Sequence, residues 1–532
     1  MQGKIKKTVK RPASAPGFVS PSQLTLEGFE TPFSRKLSSD NRWVVLAGKI
    51  PWDEICNIYT KHVGLSSTGR PPISPRVVIG SIIIKHMCNL DDRETVAQIS
   101  ENMYMQYFLG YSSFSNEAPF DASLFVEFRN RMGMEQINAI NEKIHSLHHN
   151  NVAPKQDNIP PGNDSEGQNK TQVTDNKIDE TRPEIATGHK GRVLFDATAC
   201  PQDIAYPTDI DLLNSSRKKT EDLIDLTFDA ALHHKKPRTY REVARRDYLH
   251  IAQKKRKSTA AIRKAIRKQL GYLRRNLGSI DKLLDQYKEF PLNAKEQKYL
   301  MVIHTLFQQQ QQMFSEKSHS VNDRIVSIHQ PHVRPIVRGK NTAKVEFGAK
   351  VHVSLVDGYA FLDELSWDAY NEGSHMMAYV EKYKARFGYY PAEILADQIY
   401  CKRTNRSLLK EMGIKLLAKP LGRPSAVKKE HVRPGERNPI EGKFGQAKTA
   451  YGLDNIKARL KETSESWIAC IFMVLNLVKL AGEAFFWLKI KTMSRHLLAM
   501  IEICTNRLIK VKAGVYLIRQ PLFLNVKIIS LN

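Results

Sequence analysis

Arg192-Val193-Leu194-Phe195-Asp196-Ala197-Thr198 is a short apolar run that ends on an acid, and Glu393-Ile394-Leu395-Ala396-Asp397 repeats that pattern about 200 residues later. Each run reads as a buried strand with a carboxylate at its tip. After the first come about 125 residues that look wholly helical. Strand signals return at residues 333–337, 344–355 and 359–365, punctuated by Gly339, Asp357-Gly358 and Asn371, which together read as an antiparallel meander. A helix over 373–387 precedes the second strand-acid run, and a further strand over 414–418 leads into a loop rich in Lys, Arg, Pro and Gly. The chain then enters a helix over about 439–450 bearing Glu441, and a last apolar helix over about 464–480.

This order of strand-acid, insertion, three strands, helix, strand-acid and helix-acid is the one expected for an RNase H-like α/β core, a mixed sheet flanked by helices. It places Asp196 and Asp397 on neighbouring strands with Glu441 above them. Three converging carboxylates make an oxygen-rich site suited to two Mg²⁺ ions, with Mn²⁺ as a substitute. Such a pair activates a water or a 3′-hydroxyl and stabilises the leaving oxygen of a phosphodiester, with no covalent protein intermediate. Asp203, seven residues past Asp196, reads as a cap or turn residue, and Asp357 and Asp363 have turn explanations in the meander.

Composition points the same way. The 532 residues carry 81 Lys+Arg against 55 Asp+Glu, a formal charge of +26, and 41% hydrophobic residues, enough to build real cores. At roughly 150 residues per domain the length allows about three folded units. A positive excess of this size points to a polyanion, nucleic acid first, because Lys and Arg gain affinity by releasing counterions from phosphates. More than half of it is local: residues 235–276 hold sixteen Lys/Arg against Glu242 and Asp247, a net +14. Lys254, Lys255, Arg256 and Lys257, then Arg263, Lys264, Arg267 and Lys268, alternate with Ile262, Ile266, Leu270 and Leu273 at helical spacing, so one face packs while the other is basic. A solvated helix face is the plain reading; a block this lopsided repels itself unless an anion compensates, which favours contact with a DNA backbone.

Cys56, Cys88, Cys200, Cys401, Cys470 and Cys504 are scattered singly, which suggests neither a disulfide framework nor a zinc site. The first twenty residues lack an apolar core after their basic residues and do not read as a secretory signal, so a reducing, cytoplasmic, nucleoid-associated setting is expected. The most apolar run, 467–478, is too short to cross a bilayer and reads as a buried helix. From about 149 to 190 no aromatic residue and no Leu occurs, which predicts a disordered linker. Before it, Ser74 and Pro75 begin a buried helix and Asp92 caps a second, in a compact all-helical unit that suits packing, dimerisation or DNA-end binding equally. The expected organisation is a flexible basic N-terminus (1–39), a separate helical domain (40–148), the linker (149–190), an RNase H-like catalytic domain (191–482) with a basic helical insertion (215–325), and a tail (483–532).

These residues resemble the bacterial insertion-sequence transposases of the DDE class. The segment Asp196-Ala197-Thr198 with 203–209 and Leu212-Leu213-Asn214 is similar to that around the family's first Asp, and Ala396-Asp397-Gln398-Ile399-Tyr400 to that around its second. Arg437-Asn438-Pro439-Ile440-Glu441, continuing to Lys448, fits R-x3-E-x6-K, and the helices over 71–132 resemble the domain that commonly precedes this core. The resemblance implies a metal-dependent DNA transposase. Its metal ligands would be Asp196, Asp397 and Glu441, and Arg437 and Lys448 would hold DNA phosphates beside them. Tyr400 is a candidate for DNA contact, but a loop aromatic packing on the sheet is the favoured reading of it. It would bind terminal inverted repeats as a homodimer, cleave there, and join the 3′ ends to target DNA. Pro434 stands where relatives usually carry a Tyr, three residues before the Arg. The rival readings are a nuclease that cleaves without joining, and a non-catalytic or degenerate DNA-binding protein.

Overall fold

The computed structural model describes residues 37–63, 72–152, 188–337, 345–419 and 435–482. The expected linker, apart from its two ends, Pro434, most of the N-terminal segment and the whole of the tail lie outside the described residues. The chain divides into two units at Leu477 and Val478, and of the second only Val478 to Gly482 fall among the described residues.

The first strand-acid run becomes β1 (Arg192–Pro201), central in a six-stranded mixed sheet. The other strands are β2 (Arg334–Val337), β3 (Val345–Val356), β4 (Tyr359–Ser366), β5 (Glu393–Leu395) and β6 (Lys415–Leu417). The order is β2-β3-β1-β5-β6, with β4 also paired to β3. β3 runs antiparallel to β1, β2 and β4, whereas β5 is parallel to both β1 and β6. The tight β3–β4 hairpin needs left-handed backbone at both Asp357 (φ 51°) and Gly358 (φ 76°), so Asp357 is the turn residue expected of it. Two expectations change. Asp196 lies in mid-strand, not at a tip, because pairing with β3 carries β1 on as far as Pro201, opposite Gly348. Asp363 is no turn residue but a buried member of β4.

Between β1 and β2 stand four helices, α8 (Asp209–Thr227), α9 (Arg241–Ala252), α10 (Thr259–Leu284) and α11 (Ala294–Glu316). They enclose a core of their own, built on Leu213, Ile224, Leu273, Ile280, Ile303 and Leu306. Thr208 and Ser258 cap α8 and α10, and Asn293 with Glu296 forms a capping box at α11. Lys254 to Lys257 fall in the α9–α10 connection, not within a helix.

Among the described residues, seven helices precede the sheet: α1 (Arg42–Lys49), α2 (Trp52–Val63), α3 (Pro75–Met87), α4 (Asp92–Glu101), α5 (Met103–Phe108), α6 (Leu124–Arg131) and α7 (Met134–Val152). α3 starts at Pro75 and is buried from Arg76 to His86, which makes it their central element. The cap of α4 is Asp91, whose side chain accepts from the Glu94 N–H, and not Asp92. These helices pack on the sheet-bearing part: Asn138 donates to the Leu362 carbonyl (2.9 Å) and Asn476 to Asn141 (3.1 Å). α12 (Met376–Phe387), α13 (Arg403–Glu411) and α14 (Asn438–Tyr451) complete the sheet's surroundings. The last helix, α15 (Lys461–Gly482), is long and apolar enough to cross a membrane by composition, yet 78% of its apolar window is buried, as a core helix requires.

Candidate active site

Leu194 pairs with Leu395 in the parallel β1–β5 register, so Asp196 and Asp397, each two residues further on, come level at the same end of the sheet. The Asp196 Oδ1 accepts from the Ala197 N–H (2.8 Å), and Asp397 leaves β5 as the cap of a short turn, its Oδ1 accepting from the Gln398 N–H (2.7 Å). That turn is fixed from behind, since Asn405 donates to the carbonyls of Gly373 (2.6 Å) and Tyr400 (3.0 Å). A side chain at residue 373 would meet the Ile399 carbonyl at 2.2 Å, so only glycine fits there.

α14 brings in the rest. Pro439 suits its first turn, where no N–H partner is lost, and Arg437 sits at its cap position. The Arg437 Nη2 donates to the Asp196 Oδ2 (2.8 Å) while its Nη1 lies 3.4 Å from the Asp397 Oδ1, so one guanidinium spans both aspartates. Arg192 anchors the turn before it, pairing with Glu436 (3.2 Å) and with Glu393 (3.6 Å). Glu441 is exposed one turn beyond Arg437, and Lys448 follows seven residues later on the same side of the helix.

Burial pushes the Asp196 carboxyl above its ordinary range; the Arg437 charge and the Ala197 N–H pull it down, and the charges of Asp397 and Glu441 push it up again. The three acids therefore act on one another, with a cation already at the junction of two. Among the described residues no three His, Cys, Asp or Glu side chains are gathered into a cage tight enough to hold a metal. The donor chemistry nevertheless fits a hard divalent cation: oxygen ligands only, an excess of negative charge, and a guanidinium standing where a cation would sit.

Tyr400, a candidate for DNA contact with packing on the sheet as the favoured reading, is fully buried among Phe195 and His352. Arg263, Lys264, Arg267 and Lys268 lie exposed on the outer face of α10, opposite its buried Leu270 and Leu273, and Lys254, Lys255, Arg256 and Lys257 are exposed in the loop before it. Lys268 also pairs with Asp247 (2.7 Å). In the segment after Asp196 the acids are structural: Asp203 lies in a loop, its N–H bonded to the Ile456 carbonyl, and Asp209 receives Gln310 (2.8 Å) and Arg324 (2.7 Å). One cluster lies outside the motifs. His352, opposite Ala197 on β3, stacks on Tyr379 at 3.5 Å and bonds Asp363, which Arg386 also meets at 3.2 Å. Burial alone would raise Asp363, but the His352 hydrogen bond and the Arg386 charge hold it below the usual carboxylate range. Its sequence signal is a His and an Asp inside otherwise apolar strands.

Two family models match this chain: a transposase domain (DUF772) over residues 31–131 and a transposase DDE domain over residues 394–478. A protein of Rhizobium meliloti described as uncharacterized protein ORF8 in the nfe locus is 40% identical over 93 residues, which is 17% of this chain and 42% of that relative. The chain thus spans less than half the length of the curated relative it matches. No solved structure matches.

Proposed function

Carrying these two domains in this order, the chain belongs to the insertion-sequence transposases of the DDE class, and from that premise we propose that it binds the terminal inverted repeats of a mobile element, cleaves phosphodiester bonds there and transfers the 3′ ends to target DNA. The observation that carries the reading is the level pair Asp196 and Asp397 on parallel strands, with α14 bringing Glu441 and Arg437 to them. The strand order, with the central acidic strand β1 paired antiparallel to β3 on one side and parallel to β5 on the other, supports an RNase H-like core.

Asp196, Asp397 and Glu441 would hold the divalent ions, Mg²⁺ or Mn²⁺. Those ions supply the Lewis acidity that activates a water or a 3′-hydroxyl and steadies the leaving oxygen. Arg437 and Lys448, on the side of α14 that carries Glu441, bind the phosphates flanking the scissile bond and hold it in line. The outer face of α10 and the loop before it bind the backbone further along the duplex, by charge and without reading sequence. Two ends must be processed together, so a homodimer on DNA, acting in the cytoplasm, is part of the proposal.

The test is incubation of the purified protein with labelled DNA carrying the element's flanking ends, with and without Mg²⁺, beside Asp397→Ala. Metal-dependent cleavage at the ends, reduced in the variant by about a thousandfold or more while DNA affinity persists, is the expected result. Equal binding by both proteins with no cleavage would replace this reading with that of a non-catalytic DNA-binding protein. Cleavage without joined products would leave a nuclease.

A further inference from the structure

The guanidinium of Arg437 occupies the junction of the two aspartates, so its charge and its contacts with Asp196 Oδ2 and Asp397 Oδ1 would compete with any divalent ion that these acids hold. We propose that Arg437 is a DNA-operated latch: it clasps Asp196 and Asp397 until a DNA phosphate draws it away, so that DNA binding raises the affinity of the acidic site for divalent metal. This rests on the reading of those acids as metal ligands and adds an order of events to it.

Three features make the clasp releasable. The contacts are unequal, 2.8 Å to Asp196 and 3.4 Å to Asp397, and the Asp397 side chain is 57% exposed. Among the described residues the Arg437 Nε is buried without a hydrogen-bond partner, so the clasp leaves one donor unused. A phosphate can take two N–H groups of one guanidinium side by side, Nε included, which a pair of aspartates on separate strands does not achieve here. The release needs no change of fold. Arg437 is at the cap of α14, its turn is tied to the sheet through Arg192 and Glu436, and the long side chain can swing while Glu441 stays in place. The charge balance then shifts by one unit in favour of a cation, because the acids lose their positive neighbour as the DNA gains it.

The test is Mn²⁺ binding followed by electron paramagnetic resonance of wild type, Arg437→Gln, Arg437→Lys and Asp196→Asn, each with and without a short duplex. The signal of Asp196→Asn with the same duplex is subtracted as background. Without DNA, Arg437→Gln should bind Mn²⁺ about tenfold more tightly than wild type, and DNA should bring wild type to within about threefold of the variant. Arg437→Lys keeps the charge but cannot span both carboxylates and should fall between them, which also serves if Arg437→Gln does not fold. Equal Mn²⁺ affinity in wild type and both Arg437 variants, with binding lost in Asp196→Asn, would overturn the latch and leave the metal site standing. Unchanged binding in Asp196→Asn would remove the metal site and the latch with it.

Discussion

Two Asp–cation clusters in this molecule use the same chemistry with opposite surplus. In the N-terminal helices Asp92 receives both Nη groups of Arg129 at 2.9 Å and lies 2.9 Å from the Lys85 Nζ, so two cations share one carboxylate. The Lys85 and Arg129 side chains are only 2% and 6% exposed, and the face of Trp467 from α15 lies 4.5 Å from the Lys85 Nζ. At the candidate site two carboxylates share Arg437, with Glu441 one turn further along α14. Protonation follows the surplus: despite burial, Arg129 and Lys85 hold Asp92 below the ordinary carboxylate range, whereas burial with the charges of Asp397 and Glu441 holds Asp196 above it. A positive surplus closed over by an aromatic ring fastens the N-terminal helices to α15. A negative surplus left facing solvent attracts a further cation.

The largest effect that separates the two is on stability. Asp92→Asn leaves Lys85 and Arg129 buried without their counter-charge and should cost about 3–5 kcal/mol, read from urea denaturation. Asp397→Asn removes an exposed acid from a crowd of like charges and should change stability by less than about 1 kcal/mol. Equal losses in both variants would show that the acidic cluster is as much a structural fastening as the other.

The next effect concerns the positive surplus on α10. Lys255→Gln, Lys257→Gln, Lys264→Gln and Arg267→Gln together should leave the melting temperature nearly unchanged, because all four side chains are exposed. DNA binding should weaken by about a hundredfold near 0.15 M salt, and the slope of log affinity against log salt should fall by roughly 3 to 4. Both follow from titrating a labelled duplex at several salt concentrations. An unchanged slope would return this face to the role of a solvated helix surface.

Much of the site is legible in the sequence, because strand, helix and acid fall into an order that few architectures share. That order singles out Asp196, Asp397 and Glu441 as candidates, and periodicity singles out the basic face of α10. What pattern cannot carry is contact between distant segments. The Arg437 clasp joins Arg437 to Asp196, more than two hundred positions away, and Asp363 reads as a turn residue until β3, β4 and α12 pack His352 and Arg386 against it. Tyr400 illustrates the same limit: an aromatic after a strand-end acid suits DNA or the core, and only the packing of Phe195 and His352 against it places it in the core. Asp91 rather than Asp92 caps α4 for a comparable reason, since Asp92 is taken by Lys85 and Arg129 from other helices.

The smallest effect lies inside the first cluster. His86, fully buried and edge-on to Trp467 at 5.1 Å, has its Nε2 without a hydrogen-bond partner among the described residues. Burial, then the charges of Lys85 and Arg129, push its imidazole well below the ordinary value of 6.5, so the native state keeps it neutral where the unfolded chain takes a proton. The unfolded state then binds more protons, and stability falls as pH drops below about 6.5, by about 1.4 kcal/mol for each unit at most. Above that pH the contribution is fully present. His86→Phe keeps a ring against Trp467 and cannot be protonated, so its loss of stability between pH 6.5 and 5.5 should be smaller than that of wild type by roughly 1 kcal/mol. Identical pH slopes in urea titrations of the two proteins would mean that His86 finds a proton in the folded state, and that the positive surplus around Asp92 is less tightly closed than its burial implies.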